Sequence, residues 1–284
     1  MQLRQLYNFF LDELKPIYGL DETASMANMI FEHFAGANRT VIISQPDKTL
    51  NAEEISALEN ALAQLKKHVP VQYIIGHAWF AGNKFKVSPA VLIPRPETEE
   101  LVMEAVDFIK TNHKKTVLDI GSGSGCIPIS IKKKLAHTKV TSVDISAAAI
   151  QIAEENAKEN DSSINFLQID FLDSKNWDSL PQYDVIISNP PYIPEKEKAL
   201  LDANVTEHEP HLALFVPDND ALIFYEKIAA FGLKHLAKGG KIFMETHETF
   251  AQAVAAHFQQ QGYDSIVKKD FYGKNRMVVA SRFH

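Results

Sequence analysis

Residues 117–126 read VLDIGSGSGC: an apolar run passes straight into glycines at alternate positions, Gly121, Gly123 and Gly125, and then into a helical pattern. A strand that turns through glycines into a helix brings backbone close to a ligand, and the helix start offers unpaired N–H groups to an anion. No Lys-Ser or Lys-Thr follows, so this is not a P-loop, and G-x-G-x-G differs from the G-x-G-x-x-G of dinucleotide sites. Gly121, Ser122, Gly123, Ser124 and Gly125 are therefore candidates to hold a nucleoside-type cofactor, whose identity the loop alone leaves open.

Working outward, short β-branched runs alternate with helical patterns from Thr116 onward: TVLDI, KVTSVD, INFLQ, YDVIIS, KIFMET, SIVKKD and RMVVAS. That alternation predicts an α/β fold with a mainly parallel sheet covered on both faces, and ligands in such sheets sit at the carboxyl ends of the strands. Before it, residues 1–69 carry only amphipathic helical spacing (Leu3, Leu6, Phe10, Leu14; Ala27, Ile30, Phe31, Phe34; Ile55, Leu58, Leu62, Leu65), which predicts a small helical bundle. Asn51 and Glu54 form a capping box for its last helix. Period-2 alternation with Gly76, Gly82 and Asn83 predicts a connecting β-hairpin in residues 70–93, leaving 94–284 as the catalytic domain.

The net charge of −7 and the absence of a basic tail argue against a protein that binds nucleic acid by neutralising phosphates. Lys132–Lys134 lies late in a helical pattern, where cations suit the helix dipole. No stretch approaches the roughly 18–20 uncharged apolar residues of a membrane span, and the first residues carry acids where a secretory leader would be apolar. A cytoplasmic protein without membrane contact is expected. The single cysteine, Cys126, excludes an internal disulfide and reads as a small core residue.

Three further features fall at predicted strand ends. Asp144 can accept both hydroxyls of a ribose, unless it caps the next helix, a role for which Ser146 is equally placed. Asp170 can accept from an exocyclic adenine amine, with Phe171 covering the ring; a loop acid and a core phenylalanine are the plain alternative. Asn189-Pro190-Pro191-Tyr192 ends the fourth strand as a stiff, extended spur, since neither proline can continue a ladder. Its Asn189 side-chain carbonyl and Pro190 backbone carbonyl can hold one planar NH2 group, and Tyr192 offers a flat surface on which it can stack. Fixed acceptors aim an otherwise poor amide nucleophile and stabilise the charge that develops on it. Glu207, His208, Glu209 and His211 could be drawn as a metal cluster, but Pro210 breaks any shared helical face; none is expected.

The glycine loop, Asp144 and NPPY together resemble a class I S-adenosylmethionine-dependent methyltransferase acting on a planar nitrogen. More narrowly, QYIIG, VLIPRPETEELV, VLDIGSGSG, SNPPYI and EPHLAL resemble the HemK-type release factor glutamine methyltransferases, densely from Gln72 to Leu214. The resemblance implies a seven-stranded Rossmann-like sheet with its last strand antiparallel, and S-adenosylmethionine held by residues 121–125, Asp144, Phe171 and Asn189. It implies a glutamine of a class 1 peptide chain release factor gripped by Asn189 to Tyr192, and Arg95, Glu97 and Thr98 close to the cofactor. A monomer is expected. METHETF departs from the glycine-containing segment of many members, which puts contacts from that strand end in doubt. Rival readings are N6-adenine methylation of nucleic acid, methylation of a ribosomal-protein glutamine, and a docking module without catalysis.

Overall fold

A computed structural model describes residues 1–282, and its internal contacts divide the chain into two units: residues 1–77 with 202–208, and residues 78–201 with 209 onward. The domain expected to run to residue 284 thus ends on two positions outside the described residues.

The first unit is helical: α1 (Leu3–Tyr18), α2 (Leu20–Ala35), α3 (Arg39–Ser44), α4 (Ala52–Leu65), α5 (Val71–Ile75), and the short helix Ala203–His208. The apolar positions named above form its core, with Tyr7 and Phe10 set edge-on to Phe31 at 5.3 and 5.0 Å between centroids. The capping box is complete: Asn51 Oδ1 accepts from the Glu54 N–H, and Glu54 Oε2 accepts from the Asn51 N–H. Two elements differ from the sequence reading. The α3 turn carries too few residues for a helical period to show. Residues 71–75, expected as part of the hairpin, form a helix because Pro70 precedes it, Gly76 closes it in the left-handed region, and Val71 and Ile75 share one buried face.

The second unit opens with the hairpin β1 (His77–Phe80) and β2 (Asn83–Lys86). Asn156, buried on α8 (Ala147–Glu159), holds β2 by accepting from the Lys86 N–H and donating to both Lys86 O and Ser124 O. The sheet strands are β3 (Thr116–Ile120), β4 (Lys139–Asp144), β5 (Asn165–Gln168), β6 (Tyr183–Ser188), β9 (Leu236–Glu245), β10 (Tyr263–Lys269) and β11 (Asn275–Arg282). Between β6 and β9 lie two two-residue strands, β7 (Ile193–Pro194) and β8 (Phe215–Val216), paired in parallel.

The order of the seven strands is β10-β11-β9-β6-β3-β4-β5. The pairings between β9 and β5 are parallel, and β11 runs antiparallel between β9 and β10, as the resemblance implied. Such a sheet is buried on both faces, which explains why Val117, Leu118, Val185, Ile186 and Ile187 are all inaccessible rather than alternating. One cluster packs on each face, one including Phe231, Phe258 and Tyr263, the other Val106, Ile109 and Phe243. Strand β9 begins at Leu236, earlier than KIFMET suggested, through an irregularity opposite Tyr183–Val185. Bulges of this kind leave no periodic signal.

Candidate active site

The carboxyl ends of β3, β4 and β6 open onto one cavity, bordered by residues 121–124, Asp144, Asp170, Phe171 and Asn189 to Pro191. Of the residues expected to hold cofactor or substrate or to lie close to them, Gly125, Tyr192 and Glu97 do not border it, whereas Arg95 and Thr98 do.

Gly123 and Gly121 lie in the left-handed region, Gly123 with open space where a Cβ would project and Gly121 with only the Asn189 backbone oxygen nearby, and both border the cavity. Gly125 has a different duty. It caps α7 (Cys126–Lys134), and a Cβ there would come within 2.9 Å of Ile129 Cδ1 and 3.1 Å of Ala153 Cβ, so it is a close-packing glycine. Asp144 ends β4 with each carboxylate oxygen already holding one backbone donor: Oδ2 accepts from Gly123 N–H and Oδ1 from Ser146 N–H, both at 2.9 Å. Ser146, not Asp144, caps α8 by accepting from Ala149 N–H. The carboxylate is thus oriented by the loop, with lone pairs left for a diol. Burial raises its pKa above the ordinary value, opposed by the N–H groups of Gly123, Ser146 and Ile145.

Under the loop, buried Asp119 accepts from the Ser142 hydroxyl at 2.5 Å, and Ser142 Oγ lies 2.6 Å from Ser122 Oγ. Burial pushes the Asp119 carboxyl up to about 8. Asp170 turns its Oδ1 back onto the Leu172 N–H at 3.0 Å. Phe171 borders the cavity, but its ring is packed with Trp177 and Phe231, at 5.5 and 5.3 Å between centroids, which anchors it in the core. Ile145, 44% exposed and on the cavity wall, is an apolar surface that the sequence reading missed; a large apolar residue next to a strand-end acid was the available signal. Cys126, expected in the core, is half-buried and also borders the cavity. Burial pushes its thiol up to about 12, so it is held neutral.

The opposite wall is built from side chains of distant segments. Asn189 Nδ2 donates to Thr98 Oγ1 at 3.1 Å; Thr98, in the first turn of α6 (Pro96–Thr111), donates to Glu245 Oε2 at 2.6 Å. Tyr192 donates to the other oxygen of Glu245 at 3.2 Å, so its hydroxyl is engaged and its ring lies against the core. Asn189 thereby commits its NH2 to Thr98, and the Asn189 backbone oxygen passes 3.9 Å from where a Gly121 Cβ would stand. Glu245 falls in METHETF, the segment discounted in sequence; its signal was an acid at the carboxyl end of a strand paired directly with β6.

Arg95, on the cavity wall, donates to Glu209 Oε1 at 2.5 Å, and Glu209 Oε2 accepts from Ile93 N–H. Glu209 therefore clamps the loop ahead of α6. Another member of the sketched metal cluster is engaged elsewhere: His208 Nε2 meets Lys67 O at 2.9 Å within the first unit. Among the described residues, no three His, Cys, Asp or Glu side chains converge as a metal-ligand set.

The donor set suits S-adenosylmethionine: a loop without Cβ atoms at Gly121 and Gly123, a strand-end carboxylate with unused lone pairs, and an apolar wall. A parallel sheet with one antiparallel strand and this cavity at its carboxyl edge define a class I methyltransferase fold. The hMettl16 catalytic domain has that fold too, with a TM-score of 0.56 at 16% identity over 92% of this chain and 91% of its own.

Residues 5–76 match the PrmC N-terminal domain family and residues 100–213 the methyltransferase small domain family. The release factor glutamine methyltransferase of Bacteroides thetaiotaomicron is 39% identical over 99% of this chain and 100% of its own length. That of Flavobacterium psychrophilum is 36% identical over 98% of each. The chain belongs to the release factor glutamine methyltransferase family.

Proposed function

We propose that this enzyme transfers a methyl group from S-adenosylmethionine to the side-chain amide nitrogen of a glutamine in a class 1 peptide chain release factor. The observation that carries the reading is that Asn189, its NH2 given to Thr98, and Pro190 border the same cavity as the glycine loop and Asp144. The similarity to full-length relatives supports the choice of substrate. When bound, the cofactor supplies an electrophilic methyl on a sulfonium.

In this reading Asp144 and the loop N–H groups hold the cofactor, and Asn189 and Pro190 hold both N–H groups of the glutamine amide with its nitrogen in line. Positive charge grows on that nitrogen during transfer, and the two fixed carbonyl dipoles stabilise it more than they stabilise the neutral amide. The amide proton leaves to water afterwards, so the site needs no strong base.

The test is incorporation of label from methyl-labelled S-adenosylmethionine into a class 1 release factor, the same factor with its acceptor glutamine replaced, total ribosomal protein, and duplex DNA. Label on the intact factor alone is the expected result. Label on DNA or ribosomal protein instead would overturn the substrate, and cofactor binding with no label anywhere would overturn the activity.

A further inference from the structure

An asparagine that must present a carbonyl oxygen can equally turn its NH2 to the same place, since the two ends of the amide are almost the same size. A donor there would repel the substrate N–H groups. Three hydrogen bonds decide the matter. Glu245, when ionised, accepts only, so the hydroxyls of Thr98 and Tyr192 must both donate to it, at 2.6 and 3.2 Å. Thr98 has one proton and has used it; towards Asn189 it can only accept. Asn189 must therefore give Thr98 its NH2, at 3.1 Å, and keep its oxygen for the cavity. Thr98 and Glu245 are each only 2% exposed, so water does not compete for these protons.

We infer that Thr98 and Glu245 are positioning residues that set the donor-acceptor sense of the Asn189 amide, through the relay Asn189–Thr98–Glu245–Tyr192. The inference deepens the proposed function and rests on it for the identity of the acceptor.

The relay reverses when Glu245 takes up a proton. The acid would then donate to Thr98, freeing the Thr98 hydroxyl to donate to Asn189 Oδ1, and the amide would turn its NH2 to the cavity. Burial favours that protonated form; the hydroxyls of Thr98 and Tyr192 and the Arg276 guanidinium on β11 oppose it, while Glu97 on α6 favours it. Tyr225 donates to the Glu245 backbone oxygen and holds the strand end in place. Activity is therefore lost as pH falls through the raised Glu245 value.

The experiment compares Thr98→Val, which keeps the shape and removes the acceptor, with Thr98→Ser, which restores it. Methyl transfer to the release factor and dissociation of S-adenosylmethionine are measured separately. Val should lower kcat roughly 10- to 100-fold, the loss typical when a supporting partner of an active-site group is removed, with cofactor Kd within about threefold, and Ser should recover most of it. Equal kcat in Val and Ser, or parallel losses in kcat and Kd, would overturn the inference.

If Thr98→Val fails to fold, Glu245→Gln decides: the acid limb of the kcat profile should disappear, and an unchanged limb would overturn the relay. If the unsubstituted enzyme methylates no release factor, the proposed function fails instead. The relay is then read from the Asn189 side-chain NH2 in nitrogen-15 spectra. Slow proton exchange in the unsubstituted and Ser proteins that is lost in Val supports it, and equal exchange in all three overturns it.

Discussion

On the β3–β4 side of the cavity the polar groups are backbone N–H groups of Gly123 and Ser146 gathered on one carboxylate, Asp144. On the β6 side they are the side chains of Thr98 and Asn189, joined behind the wall to Glu245 and Tyr192. Backbone donors survive every substitution except proline and turn only if the loop refolds, so the donor sense of the first wall is fixed. The second can change sense with one proton. A site that holds a cofactor with the first kind of wall and a reacting nitrogen with the second keeps binding and chemistry separable.

That separation can be broken most severely at Asn189. Asn189→Ala should lower kcat about 100- to 1,000-fold, the loss seen when one preorganised partner of a developing charge is removed, while cofactor Kd moves less than about threefold. Equal losses in the two, measured by single-turnover transfer and by calorimetry, would mean that the walls are not independent.

The converse effect is smaller. Asp144→Asn offers one carbonyl to two backbone donors, so cofactor Kd should rise roughly 10- to 100-fold, as for loss of a charge-assisted hydrogen bond, with kcat at saturating cofactor little changed. A kcat defect that survives saturation would count against the division.

A further effect concerns stability and sharpens the picture of the cofactor wall. Folded Asp119 binds its proton more tightly than the unfolded chain does, about 8 against 3.8. Stability contributed by the protonated group is present below the unfolded value and is lost progressively as pH rises through that window. Thermal midpoints recorded from about pH 5 to about pH 9 should fall for the parent, and Asp119→Asn should flatten the slope. Identical slopes would remove Asp119 as the cause.

The same contrast governs what the sequence disclosed. The glycine loop and Asp144 were legible because turn chemistry and strand ends are local: a few consecutive residues state both the conformation and the exposed group. NPPY was legible for the same reason, since two prolines after a β-branched run fix the backbone themselves. Glu245 was not, because its meaning depends on a partner 147 positions away in Thr98 and on the β6–β9 pairing that puts it beside Asn189. Thr98 was placed near the cofactor from the resemblance but without a role, its hydroxyl being indistinguishable in sequence from an ordinary first-turn threonine. Within the fold, α5 and the early start of β9 escaped because each is set by a cap or a bulge rather than by a period.

Strand β11 is synthesised after β9 and β10 yet lies between them, and β10 meets the sheet only through it. While the chain is growing, the outer edge of β9 therefore stays an open ladder of unpaired N–H and C=O groups, and β10 has nowhere to dock. Residues 263–269 can be fully made and still not be sheet. During that interval β9 is a template for any extended segment that reaches it, from a neighbouring nascent chain as readily as from its own. Lys241, at the start of the part of β9 that pairs with β11, puts charge on that waiting edge, the kind of residue that discourages a wrong partner until Asn275–Arg282 arrives.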